Sequence, residues 1–227
     1  MSSIYVAIPS NDKLEENTNQ FLSAMKAGSR EPQAARFTEI AFSFIDVQLE
    51  ALFYGPTRQI ELTPFRKKLV DALGGLIEKT SHGLIRSVVA KSSNEELRSL
   101  VPFVEERRIY IDGKPYTSFP LTQNFTTRYE ALYEATMSGS TGNAAEQAEV
   151  MNEFIDTALD YMYKKPLELM KLGFIVRKGA DLGYTSIRSL AHSTTRKLIH
   201  DVSLAENQRL STYFYELMKE GPDYRGS

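Results

Sequence analysis

Between residues 33 and 54 the chain is apolar on almost every side of a helix. In ARFTEIAFSFIDVQLEALFY the polar residues Glu39, Ser43, Asp46 and Glu50 fall at offsets of four, seven and eleven, one narrow stripe on a helical surface. The pattern predicts a central core helix over about 33–54. Before it, IYVAI (4–8) reads as a short strand or an apolar tether ended by Pro9, and Asn11 or Asp12 caps a helix to about Ala27 with Leu14, Phe21, Leu22 and Met25 inward. After it, Thr63-Pro64 starts a helix with a capping hydroxyl and a proline at the first helical position. Phe65, Leu69, Val70, Leu73, Leu76 and Ile77 supply its apolar face, and Gly74-Gly75 marks close helix packing or a kink.

SSNEELRSLVPF carries two overlapping capping boxes, Ser92…Glu95 and Ser93…Glu96. RRIYIDGKPYTSF is the clear β signal, a hairpin at about 108–119. Its turn is Asp112-Gly113, and Pro115 marks the return arm as an edge. An isolated hairpin is marginal, so this one must pack on helices or pair with IYVAI. A short helix capped at Thr127…Glu130 follows, then a small, polar linker, MSGSTGNAAEQ. Helices are expected at about 143–164, 166–172, 185–200 and 203–219, the last with its own capping box, Ser203…Glu206. The fold class is therefore mainly α: a multi-helix, bundle-like globular domain with one small β-hairpin. Residues 1–138 form an N-terminal helical region with the hairpin, and 143–227 a C-terminal helical array packed with it as one unit. No repeat occurs at solenoid periods of 20–50 residues.

Composition narrows the chemistry. The 227 residues include no cysteine, which excludes disulfides, thiolate chemistry and Cys-ligated metals. The start of the chain lacks the basic and apolar regions of a secretory signal, and no 18-residue apolar run occurs, so a cytoplasmic protein that crosses no membrane is expected. Catalytic and cofactor patterns are missing: no HExxH, no paired Glu-x-x-His, no G-x-S-x-G, no Walker loop and no G-x-G-x-x-G. No metal ligand set, cofactor or catalytic residue is assigned.

Charge, by contrast, is unevenly placed. Residues 164–200 carry eight basic and two acidic side chains, a net +6 in a chain of net charge −2, so the remainder carries −8. The basic residues are Lys164, Lys165, Lys171, Arg177, Lys178, Arg188, Arg196 and Lys197. With His192 and His200 they define the candidate binding face. Arg188, His192, Arg196 and His200 stand at four-residue intervals, one column on a helix whose inner stripe is Ile187, Leu190, Ala191, Thr194 and Leu198. GADLGYTSIRSL weakly resembles a helix-turn-helix, with Gly183 in the turn and Thr185 as N-cap. Gly183, however, follows Ala180 by three residues where four are expected.

The sequence thus predicts a non-enzymatic regulatory or adaptor protein acting through its basic face on an acidic protein surface or, in the sharpest form, on nucleic acid. The alternative is an enzyme with an anion pocket built from the Arg and His residues of 185–201, Asp201 included. A third reading is a structural homo-oligomer using part of helix 33–54 as its interface.

Overall fold

The computed structural model describes residues 3–140 and 144–221. The fold is mainly α with one small antiparallel sheet. β1 (Ile4–Pro9) leads to α1 (Asp12–Lys26), where Asn11 Oδ1 accepts the Leu14 N–H at 2.8 Å and the four predicted apolar side chains are buried. α2 (Ala34–Leu49) continues through a π-helical turn, Glu50–Tyr54, into a helical turn at Gly55–Thr57. α3 (Pro64–Ser87) is capped by the Thr63 hydroxyl and runs unbroken through Gly74-Gly75. The reason for glycine is contact: a Cβ on Gly74 would lie 2.8 Å from the Tyr54 hydroxyl.

α4 (Asn94–Arg98) forms the second of the two capping boxes, Ser93 with Glu96, and α5 (Val101–Glu106) leads into β2 (Arg108–Ile111) and β3 (Lys114–Pro120). The turn is as expected, with positive φ at Asp112 and Gly113. β3, however, is not an edge. The strand order is β2-β3-β1-β4, and β3 lies between β2 and β1. Pro115 is tolerated because it pairs with Tyr110 on one side, while on the other β1 pairing ends at Pro9 opposite Tyr116.

α6 (Gln123–Met137) starts earlier than the Thr127 capping pattern suggests, with Thr122 as the cap. Residues 141–143 of the polar linker lie outside the described residues. α7 (Ala144–Leu159) passes through a second π-helical turn, Asp160–Lys164, into α8 (Lys165–Leu169). α9 (Phe174–Asp201) begins eleven residues before the expected start. There is no helix-turn-helix: Gly179 and Gly183 sit inside a continuous helix, and Thr185 is mid-helix, its hydroxyl bonded to the Asp181 carbonyl at 2.8 Å. α10 (Leu204–Leu217) has the predicted Ser203…Glu206 box, but the chain then turns into a strand, β4 (Met218–Glu220), rather than staying helical to 219.

Laid along the chain, the elements repeat. Tyr5 and Pro9 of β1 correspond to Tyr116 and Pro120 of β3, 111 positions on, and the caps Asn11 and Thr122 share that spacing. From α2 onward the spacing is 110. Phe44-Ile45-Asp46 recurs as Phe154-Ile155-Asp156, both π-helical turns precede a proline (Pro56, Pro166), and His82 matches His192. The capping boxes Ser93…Glu96 and Ser203…Glu206 are likewise 110 apart. The π-helical turns have a local cause. A proline lacks an N–H and its ring crowds the carbonyl four residues back. Just before each, the Gly55 N–H reaches Glu50 O and the Lys165 N–H reaches Asp160 O, five residues back, which widens the helix there.

In the sheet every ladder joins the two repeats, because β2 and β1 alternate with β3 and β4. The β1–β3 pairing is symmetric: Tyr5 faces Pro120, Pro9 faces Tyr116, and Ala7 faces its own equivalent, Ser118. Two apolar cores follow, one per repeat. The first gathers Phe21, Phe37, Ile40, Leu97 and Leu100, the second Phe125, Val150, Phe154 and Phe214 with Val6 and Ile8 of β1. Equivalent bonds clamp the repeats: Ser99 Oγ donates to Leu169 O at 2.9 Å, and Arg209 Nε donates to Gln59 O at 3.0 Å.

One clamp has no counterpart. Phe65, expected in the core, is 56% exposed, and its neighbour Arg66 turns inward instead. Successive residues on a helix point about 100° apart, so only one of the two can face the core. Arg66 Nη1 donates to Glu206 Oε1 at 3.1 Å, with both side chains buried, and its other nitrogen reaches the Asp201 carbonyl. The Glu61 N–H adds a bond to the same Glu206 oxygen at 2.7 Å. Burial alone would raise the Glu206 carboxyl, but the N–H groups of Glu61 and Ser203, the Ser203 hydroxyl and Arg66 outweigh it and bring it down to about 2.

Two predictions test this packing. A carboxyl that is more acidic folded than unfolded stabilises the fold above its unfolded value of about 4.3, and that contribution is lost as pH falls toward about 2. Urea midpoints measured against pH will therefore show a steep fall over that window. Glu206→Gln flattens it, and Arg66→Met lowers stability at pH 7 by about 3 kcal/mol by leaving a buried carboxylate unpaired. Gly183 and Gly179 give a contrast within one helix. A Cβ on Gly183 would sit 2.6 Å from Thr80 Cγ2 and 2.7 Å from the Tyr163 hydroxyl, whereas Gly179 has open space. Thermal melts will show Gly183→Ala destabilised by about 1–3 kcal/mol and Gly179→Ala stabilised by about 1 kcal/mol.

Candidate functional site

α9 carries most of the predicted basic face. At 28 residues and 1.5 Å per residue it is about 42 Å long, so Arg177 and His200 stand roughly 35 Å apart. The ten residues are therefore spread along a long stretch of the structure. They divide into a group around the start of α9 and a group along its second half.

In the second half the column is partly neutralised. Arg188 makes a bidentate contact with Asp156, Nε to Oδ1 at 2.7 Å and Nη2 to Oδ2 at 2.6 Å. His192 Nε2 lies 2.7 Å from the same Oδ1. Burial would raise the Asp156 carboxyl, but the hydrogen bonds from Arg188 and His192 outweigh it and hold it below the usual range. One turn further on, at the start of the π-helical turn, Asp160 accepts from the Tyr184 hydroxyl at 2.7 Å. Burial, and then that bond, push this phenol up. His200 Nδ1 is 3.1 Å from the neighbouring Asp201. Arg196 and Lys197 are exposed near the helix C-terminus, where cations also interact favourably with the helix dipole.

The first repeat shows the same arrangement in weaker form. His82 Nε2 lies 4.0 Å from Asp46 Oδ1, with Phe42 edge-on to the imidazole, and Glu78 stands where the second repeat has Arg188. The Asp–His juxtaposition thus recurs in both repeats, but only in the second is it hydrogen-bonded and joined by an arginine. Asp156 was the missed partner. Its signal was the recurrence of Phe-Ile-Asp, which places both aspartates at one position of the repeat.

Around the start of α9 the picture differs. Lys165 Nζ sits 3.4 Å from the Tyr161 ring centroid, a cation–π contact. Lys164, Lys171, Arg177 and Lys178 are exposed and form no ion pair with the described residues. Lys171 lies close enough to Glu96 to assist the Ser93 backbone N–H and hydroxyl, which chiefly hold that carboxyl below its ordinary range. Among these cations, Phe174 is 80% and Ile175 85% exposed, and Leu182 stands out one turn beyond Lys178. These apolar side chains lie between the helices expected at 166–172 and 185–200, so the sequence pattern assigns them to no helix face.

Between the helices lie two mainly apolar cavities at equivalent places. One, of about 150 Å³, is lined by Ile40, Phe44 and Leu100 of the first repeat and closed by Met162, Tyr163 and Pro166 of the second. The other, of about 220 Å³, is lined by Phe154, Ala191 and Phe214 of the second repeat and closed by Leu52, Phe53 and Pro56 of the first. None of Arg188, His192, Arg196 and His200 lines either cavity. Among the described residues, no helix is long and apolar enough to cross a membrane.

No protein-family model, curated protein or solved structure matches the chain.

The Arg188–Asp156 contact is nearly half-exposed on the arginine side. A double-mutant cycle of Arg188→Ala and Asp156→Asn, read from urea midpoints at pH 7, will give a coupling of about 0.5–1 kcal/mol that shrinks in high salt.

Proposed function

We propose that the protein is a non-enzymatic regulatory or adaptor module that binds an acidic segment of a partner protein through the start of α9. The observation that carries this reading is the pair Phe174 and Ile175, 80% and 85% exposed, set among Lys171, Arg177 and Lys178, which form no ion pair with the described residues. Large apolar side chains ringed by arginine and lysine are what protein interfaces use as anchors, with the charges selecting an acidic partner and speeding encounter. A phosphate backbone has no use for two exposed apolar side chains, since its contacts are charge and hydrogen bonding. This favours a protein over nucleic acid as the partner.

The first repeat presents a related surface with less charge. Phe65 is exposed at the start of α3 beside Lys67 and Lys68, but Lys67 is paired to Asp71, and Glu61 stands where the second repeat has Lys171. The reading therefore places the binding on the second repeat. A cytoplasmic location fits a protein of this kind without cysteine.

The test is fluorescence anisotropy of two labelled probes with the full chain: an acidic peptide alternating Glu with Leu and Phe, and a duplex DNA. The expected result is peptide binding in the micromolar range, weakened about tenfold by Phe174→Ser with Ile175→Ser and by Arg177→Glu with Lys178→Glu. Arg196→Glu leaves it unchanged. DNA binding with a steep salt dependence and no peptide binding would replace this reading with the nucleic-acid one. Peptide binding indifferent to all these changes would overturn the assignment of the surface.

A further inference from the structure

The two cavities differ in their polar lining: the smaller is lined by Glu15, Arg107 and Arg108 as well as apolar residues. No Asp, Glu, Lys, Arg or His lines the larger, and its walls are almost wholly hydrocarbon. Its tyrosine hydroxyls are satisfied within the protein: Tyr129 donates to Ser211 O at 3.0 Å and Tyr163 to Ala180 O at 3.2 Å. Two lining side chains, each only 2% exposed, are not fully satisfied. Thr194 Oγ1 has no partner among the described residues, although Thr18 and Thr185 bond the carbonyl four residues back. Gln48 donates from Nε2 to Thr117 Oγ1 at 2.7 Å, and the Thr117 hydroxyl donates onward to the Ile8 carbonyl at 3.5 Å. That chain of donors fixes the amide orientation, and Gln48 Oε1 is left as an acceptor without a donor.

We infer that this cavity is a binding site for a small, neutral, mainly hydrocarbon molecule carrying one hydroxyl group. A hydroxyl both donates and accepts, so it suits either lining atom, as a donor to Gln48 Oε1 or as a partner of the Thr194 hydroxyl. A carboxylate or ammonium would be buried here with no counter-charge, and a pure hydrocarbon would leave both polar atoms unsatisfied. Size points the same way. An apolar cavity of about 150 Å³ takes benzene, so this one, about 220 Å³, takes on the order of ten non-hydrogen atoms. In the first repeat, Leu84 stands where the second has Thr194, and Ala158 is the repeat equivalent of Gln48. The polar pair is therefore specific to the larger cavity. This site lies between the helices and shares no lining residue with the surface at the start of α9.

Isothermal titration of the full chain with 1-octanol, and separately with octanoate at pH 8, tests the inference. The expected result is saturable binding of 1-octanol at one site per chain, with octanoate at least tenfold weaker. Thr194→Val keeps the side-chain shape and removes the hydroxyl, and lowers the 1-octanol affinity about tenfold. Ala158→Leu fills the cavity and abolishes binding, with circular dichroism confirming the helical fold. Absence of saturable 1-octanol binding, octanoate binding as tight as the alcohol, or unchanged affinity in Thr194→Val would each overturn the site. The last two comparisons do not depend on whether Ala158→Leu folds.

Discussion

The interleaving of strands is the constraint on which the rest of the structure depends. Each ladder in the sheet pairs a strand of one repeat with a strand of the other, so neither repeat closes its backbone hydrogen bonds alone. The centre of this arrangement is Ala7 opposite Ser118, a residue facing its own equivalent. Val6, Ala7 and Ile8 are buried there, so the pairing is also covered by helices. Two short strands without partners would be marginal. Four strands with a packed face are not.

Helix packing follows from that pairing. The π-helical turn and proline at the end of α2 are carried into the core of the second repeat, and the equivalent turn after α7 into the core of the first. Each core is thus finished by a segment from the other half. The aromatic side chains at these turns explain the glycines opposite them, Gly74 against Tyr54 and Gly183 against Tyr163. The two cavities lie beside these turns, one lined by Pro166 and the other by Pro56. The repeats have diverged in their polar content: Arg66–Glu206 clamps one junction and has no equivalent at the other.

Divergence also shapes the surface. The excess of positive charge over 164–200 was legible by counting, but counting treats every cation alike. In the folded chain Asp156, thirty-two positions before Arg188, takes up Arg188 and His192 together, and Tyr161 takes up Lys165. The exposed cations without an ion pair among the described residues are mainly those near Phe174 and Ile175. An apolar pair beside cations is a different kind of surface from a bare basic column, and it is the ground on which a protein rather than nucleic acid is proposed as the partner.

Local chemistry was determined by the sequence itself. The caps at Asn11, Thr63 and Ser203, the Ser93…Glu96 box, the Asp112-Gly113 turn and the inward set Leu14, Phe21, Leu22 and Met25 all depend on neighbours within a few residues, and all are as the sequence predicts. The 110-residue repeat was also written there, in Phe44-Ile45-Asp46 and Phe154-Ile155-Asp156, although it becomes plain only when the elements are compared. Tertiary structure decided what depends on distant partners. It kept α9 continuous through Gly179 and Gly183, because α3 packs at Gly183 through Thr80, and it turned Arg66 inward because Glu206 waits 140 positions away. It made β3 a central strand despite Pro115, because β1 ends where the missing N–H would matter. A helix propensity or a turn signal sums interactions a few residues apart, whereas burial and pairing are settled by which distant surface arrives.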